Sequence, residues 1–172
     1  MSEEADGSPI ELVAEFSYPP SLPRTAQMIE AKRVAEMIHV LPALIADEGL
    51  HPIARQACVE TYFTSVRGLI EFLEVKPTTK KSDFSAKSIV PDWEPSLDES
   101  TKERLLGYWK DASKHTVHFT KLRAASLEEA TVEMLKKISD DVLDVWDQYA
   151  DAVNETRLAP HRPYFPKAED YR

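Results

Sequence analysis

The chain has one cysteine, Cys58, in 172 residues, which excludes an intramolecular disulfide framework and a cysteine-built zinc site. Its four glycines are too few for the many tight turns of a strand-rich fold or for a glycine-rich phosphate loop. No Walker, Rossmann or zinc-finger spacing occurs. No run approaches the ~20 apolar residues of a membrane span. No basic stretch followed by an apolar one opens the chain as a secretory signal would. Strand-like alternation of useful length is also missing. These absences lead to the expectation of an all-α protein with no membrane association, in a reducing, cytoplasmic setting.

What is present suits one globular domain: 42% hydrophobic and 30% charged residues, too apolar for a disordered chain. Acids outnumber bases by 30 to 21, a net charge of -9, which argues against coating nucleic acid or anionic membrane with the whole surface. The charge is uneven. Residues 1–23 hold Glu3, Glu4, Asp6, Glu11 and Glu15 with no Lys or Arg, so residues 24–172 carry only -4. With Pro19, Pro20 and Pro23, this segment reads as an acidic N-terminal arm.

Helical periodicity then organises residues 24–154 into an expected antiparallel four-helix bundle with a long loop between helices 2 and 3. The first helix covers about 24–47, with Val34, Met37, Ile38, Leu41, Leu44 and Ile45 at spacings of three and four. Pro42 removes a backbone donor inside it and is expected to kink or split it. The second covers about 52–74, opening on Pro52, with the stripe Val59, Tyr62, Phe63, Val66, Leu69, Ile70 and Leu73. Cys58 borders that stripe and reads as a packing thiol. The opposite face, Glu60, Thr64, Arg67 and Glu71, reads first as solvated, although an arginine there can also sit between helices holding carboxylates or a phosphate. Residues 75–97 contain Pro77, Pro91 and Pro95 with Phe84, Ile89, Val90 and Trp93, so the loop is expected to fold back on the bundle. The third helix follows the capping-box pattern Ser96-Leu97-Asp98-Glu99 and runs to about 123, with Leu105, Tyr108, Trp109, Ala112, Phe119 and Leu122 apolar. The fourth follows Ser126-Leu127-Glu128-Glu129 and runs to about 154. Residues 155–172, rich in Pro, Tyr and Phe, form a tail suited to docking on another subunit.

Two features bear on chemistry. Residues 102–123 carry +4 and residues 127–155 carry -7. Neighbouring helices of opposite sign attract, and that explanation is set first; the other is an anion or RNA site on the basic helix. On that helix His115 and His118 lie three apart, near one face. They are either structural histidines bonded to another helix or groups that titrate near neutral pH and act as acid or base.

The order Lys110-Asp111, three positions, His115 resembles the signature of the HEPN superfamily: arginine, a polar residue, a short spacer and histidine on a late helix. That resemblance implies a small all-α bundle of the kind common in prokaryotic defence and toxin systems, many of them metal-independent endoribonucleases working as dimers. Lys110 stands in the arginine position, and lysine lacks arginine's planar, bidentate grip on phosphate. A looser similarity covers more of the chain. Glu60, Phe63 and Arg67-Gly68-Leu69-Ile70, then Asp83-Phe84-Ser85-Ala86, then Ala112-Ser113-Lys114-His115 with His118-Phe119, looks like a group of uncharacterised bacterial helical proteins, and it implies no activity. In the nuclease reading His115, His118 and Lys110 are the catalytic candidates, one histidine taking the ribose 2′-OH proton and Lys110 or Lys114 stabilising the phosphorane. Arg67, Lys114 and Arg123 are the binding candidates.

A metal or other cofactor is not expected. Glu36-Met37-Ile38-His39 is the Glu-x-x-His element that di-iron bundles use twice, but the other match, Glu48-Gly49-Leu50-His51, straddles a helix end. A single ion held by His39, His115 and His118 is the remaining arrangement. Two functions follow. The first is a non-catalytic bundle acting by association, as a homodimer or with a protein partner. The alternative is an RNA-binding or RNA-cleaving HEPN-type protein.

Overall fold

A computed structural model describes residues 24–78, 85–117, 131–155 and 167–171. Among the described residues there are four α-helices: α1 Arg24–Ile45, α2 Pro52–Phe72, α3 Glu99–Val117 and α4 Val132–Glu155. Short 3-10 turns lie at Ala86–Ser88 and Ala168–Tyr171. No strand occurs among the described residues. The helices pack as a bundle: α1 on α2 and α4, α2 on α3, and α3 on α4. The stripe read on α2 is its core face, since Val59, Tyr62, Phe63, Val66, Leu69, Ile70 and Leu73 are all buried. They meet Ile38 and Leu41 of α1, Leu105 of α3, and Leu135, Val142, Trp146 and Tyr149 of α4 in one apolar cluster.

The helix ends follow local chemistry. His51 caps α2, its Nδ1 accepting the Ile53 N–H at 3.2 Å, and Pro52 follows where its missing N–H costs nothing. Past the other end, Glu74 turns the chain with φ 64°, the left-handed conformation that usually falls to glycine. The capping box expected at Ser96 is displaced. Asp98 caps α3, its Oδ1 accepting the Thr101 N–H at 2.7 Å, and that bond holds its carboxyl below the usual range. Ser96 instead donates its backbone N–H to Gln148 Oε1 at 3.0 Å, tying the loop to α4. The second box, at Ser126, lies outside the described residues. The cap observed on α4 is Thr131, whose Oγ1 accepts the Met134 N–H at 3.2 Å.

Pro42 does not split α1, which runs unbroken from Arg24 to Ile45. A residue at position 42 would normally donate its N–H to the carbonyl of residue 38, and proline has none to give. Ile38 is fully buried, so water cannot substitute. Ser139 of α4 does: its hydroxyl donates to the Ile38 carbonyl at 2.8 Å. Tyr62 of α2 lies 3.0 Å from the same hydroxyl and 2.7 Å from the Leu135 carbonyl. Two hydroxyl protons face three acceptors here. The Ile38 carbonyl is the acceptor left without a helical N–H, so it takes the serine proton, and Tyr62 supplies the second between Ser139 and Leu135. Burial holds the Tyr62 phenol far above its ordinary pKa. A helix defect in α1 is thereby turned into the point where α1, α2 and α4 interlock.

The loop after α2 folds back as expected where it is described. Ala86, Ile89, Val90 and Trp93 are buried, and Trp93 Nε1 donates to the Leu73 carbonyl at 3.0 Å. Tyr149 makes T-shaped contacts with Phe72 and Trp93 at centroid distances of 5.3 and 5.2 Å. The opposite charges of the last two helices meet within the chain. Arg104 of α3 grips Asp141 of α4 through Nε at 2.7 Å and Nη2 at 3.2 Å, and Tyr108 donates to the same carboxylate at 2.8 Å. Burial pushes Asp141 up, but the hydrogen bonds from Arg104 and Tyr108 and the nearby cations outweigh it and hold the carboxyl below its usual value. Tyr108 is pushed up to about 12 by burial and by that carboxylate. The described part of the tail, turn Ala168–Tyr171, rests on α1 and α4 of its own chain, with Lys167 paired to Asp151.

Candidate functional site

Arg67 does not lie on a simply solvated face. Its Nε donates to Glu71 Oε1 at 3.1 Å, and the same oxygen accepts the Trp109 indole N–H from α3 at 2.8 Å. The Arg67 and Glu71 side chains are only 32% and 25% exposed. Trp109, read as a plain core residue, is half-buried with its ring pinned by that carboxylate. Arg67 Cζ and Lys76 Nζ each lie 5.6 Å from its ring centroid. Cation–ring contacts of this kind contribute about 0.5–2 kcal/mol each, depending on solvent access. Two cations and one carboxylate leave the α2–α3 edge with a surplus positive charge beside a fixed aromatic ring, an arrangement that can hold an anion. The sequence signalled Arg67 but not Lys76, which lies beyond the end of α2 and carries no helical spacing.

Of the other candidates, only Lys110 and Lys114 have described side chains. Lys110 is exposed on α3. Lys114 is exposed and pairs with Asp111 at 3.0 Å, so the polar position of the HEPN-like pattern is occupied by a neighbouring lysine. Positions 110 and 115 are ~140° apart around a helix axis. His115 belongs to the backbone of α3, but its side chain, like all of His118 and Arg123, lies outside the described residues. Glu36 pairs with Lys32 at 2.8 Å. Among the described residues no group of three or more His, Cys, Asp or Glu is placed to hold a metal ion, and no described helix is long and apolar enough to cross a membrane.

Compared with protein-family models, curated proteins and solved structures, the chain matches none. Function therefore has to be argued from the chain's own surface.

That surface has a second feature, which sequence reasoning missed. Between α1 and α2, on the side away from the core, lies a groove of about 550 Å³ lined by Arg33, Val34, Met37, Ala57, Thr61 and Gly68 among others. A Cβ added at Gly68 would meet nothing within 4 Å, so the groove is open there. Five large apolar side chains are exposed among the described residues, and four belong to α1 and α2: Ile29 at 62%, Val40 at 47%, Leu44 at 43% and Ile53 at 75%. Leu44, expected in the core, is one of them. Arg33 spans the groove wall, pairing with Glu30 and reaching Met37 Sδ at 3.4 Å.

Proposed function

We propose that this chain is a non-catalytic, HEPN-like helical bundle acting in the bacterial cytoplasm by protein association through the outer face of α1 and α2. The observation that carries this reading is the exposure of Ile29, Val40, Leu44 and Ile53 on α1 and α2, the two helices that line the open groove. Scattered single apolar residues are normal on a protein surface, whereas a contiguous patch marks an interaction site. The ion pair joining α3 to α4 adds support, because it uses Arg104 and Asp141 for packing and leaves less of the basic helix for substrate. The test is the size of the tagged protein in a native extract. It should elute well above 19.5 kDa, and Leu44→Asp combined with Ile53→Asp should return it to monomer size. Elution at monomer size without the substitutions would refute the reading.

A second reading has its own observation. The two cations on the Trp109 ring support binding of RNA phosphates at the α2–α3 edge, with metal-independent cleavage as the further step through Lys110, His115 and His118. A single-stranded RNA oligonucleotide titrated into the protein should then bind in a salt-dependent manner, more weakly with Arg67→Ala or Lys76→Ala. Equal binding by all three proteins would remove this edge as the site.

A further inference from the structure

Resting on the association reading, we infer that the partner of the α1–α2 outer face is the same face of a second copy of this chain. Two rows of side chains carry this. Along α1 run Ile29, Arg33, Met37, Val40 and Leu44; along α2 run Ile53, Ala57, Thr61, Thr64 and Gly68. Both rows step by four, four, three and four residues. That is the spacing that keeps one stripe of a helix facing a neighbouring helix. Every member is exposed except Met37, which is half-buried. Apart from Met37, which packs against the core, the rows do not contribute to it; the α2 core residues, such as Tyr62, Val66 and Leu69, lie on the far side of that helix.

The rows differ in size, and this selects the occupant. The α1 row is made of long side chains, and the α2 row, after Ile53, of alanine, two threonines and a glycine. A row of knobs therefore lies beside a row of holes on one face. A two-fold axis running along the helices lays the α1 row of each copy on the α2 row of the other, so that each contact occurs twice. In that register position 29 meets 68, 33 meets 64, 37 meets 61, 40 meets 57 and 44 meets 53. The first four of these set a large residue against a small one. Arg33 comes to lie one turn from Glu60 of the other copy, which adds an attraction of opposite charges. The groove between the rows is lined by Glu30 and Glu60 as well as Arg33, and Arg33 already pairs with Glu30, which leaves a surplus of one carboxylate per copy near the axis.

Each row spans ~22 Å, and two helices side by side are ~20 Å wide. A face of that size, ~440 Å² per copy, falls below the ~800 Å² per partner of stable interfaces and within the weak, transient class, so the dimer should dissociate in the micromolar range or above rather than be permanent.

The test is sedimentation velocity of the purified full chain over a concentration series reaching ~100 µM. The mass should rise from 19.5 kDa towards twice that value. Val40→Arg and Thr61→Arg, both on exposed positions, should each weaken the dimer at least tenfold while leaving the helical circular dichroism unchanged. In a Cys58→Ser background, mixing Val40→Cys chains with Ala57→Cys chains should give an oxidised cross-linked pair. A purified chain that stays monomeric throughout overturns the inference, as does a dimer indifferent to both arginine substitutions. If the purified chain is monomeric but the extract still shows a larger species lost with Leu44→Asp and Ile53→Asp, the second copy is refuted while the association reading stands.

Discussion

Ser139→Ala, made with and without Pro42→Ala, probes the interlock of α1, α2 and α4. In the native chain the Ile38 carbonyl has no N–H from position 42 and takes its proton from Ser139 at 2.8 Å. Both residues are buried, Ile38 at 0% and Ser139 at 5% exposure. Ser139→Ala removes one oxygen and leaves that carbonyl without a donor, a loss of ~1–3 kcal/mol for an unsatisfied buried group. Tyr62 still donates to the Leu135 carbonyl at 2.7 Å, so it is not stranded. In the Pro42→Ala chain the alanine N–H supplies the missing helical bond, and the same Ser139→Ala step should cost only ~0.5 kcal/mol, the share of the Tyr62–Ser139 contact. The two substitutions should therefore couple by ~1–2 kcal/mol, well outside the additivity expected of independent sites. Urea unfolding followed by far-ultraviolet circular dichroism measures this. Ser139→Ala alone should lower the midpoint by ~0.5–1.5 M at an ordinary m-value for this size, and by clearly less beside Pro42→Ala. Equal costs in the two backgrounds would show that the serine does not replace the proline's missing donor.

Other perturbations follow from single contacts. Asp141→Asn should destabilise the chain at neutral pH and flatten its acid unfolding. The folded carboxyl is held below its unfolded value, so its contribution is present above about pH 4 and is lost as pH falls through the lowered pKa; thermal midpoints measured down to acid pH check this. Glu74→Gly should stabilise by ~1 kcal/mol, because φ 64° strains every residue but glycine, and a lower melting temperature would contradict it. Trp109→Phe keeps a ring for Arg67 and Lys76 but loses the 2.8 Å bond to Glu71. It should cost ~1 kcal/mol at this partly exposed site, read from the same urea curves.

The core was legible because α2 repeats apolar residues on one face with little interruption, and burial follows that period from Val59 to Leu73. Cap positions were less so. Ser96 and Asp98 are both good N-caps, and the choice between them depends on a long-range contact, the Ser96 N–H on Gln148 of α4, which no local pattern encodes. Pro42 announced a missing donor, but the remedy sits 97 positions away at Ser139, a residue with nothing to distinguish it on a helix wheel. The Trp109 cluster was half visible. Arg67 stood out on the polar face of α2, while Glu71 looked like an ordinary solvated acid until α3 brought an indole N–H to it.

The outer face of α1 and α2 shows why periodicity identifies stripes more readily than it ranks them. Val34, Met37, Ile38, Leu41, Leu44 and Ile45 are all apolar and all fit helical spacing, yet Ile38 is fully buried and Leu44 is 43% exposed. An apolar arc wider than one neighbour can cover must either lie open or meet a second surface. On α2 the matching stripe is invisible to a hydrophobicity count, because Ala57, Thr61, Thr64 and Gly68 are distinguished by being small and uncharged rather than apolar. Large side chains on one helix beside small ones on the next have a physical consequence only once the fold sets the two helices side by side. Neither row by itself points to a partner. Their adjacency makes one face complementary to itself in shape, with long side chains of α1 opposite small ones of α2 when two copies meet.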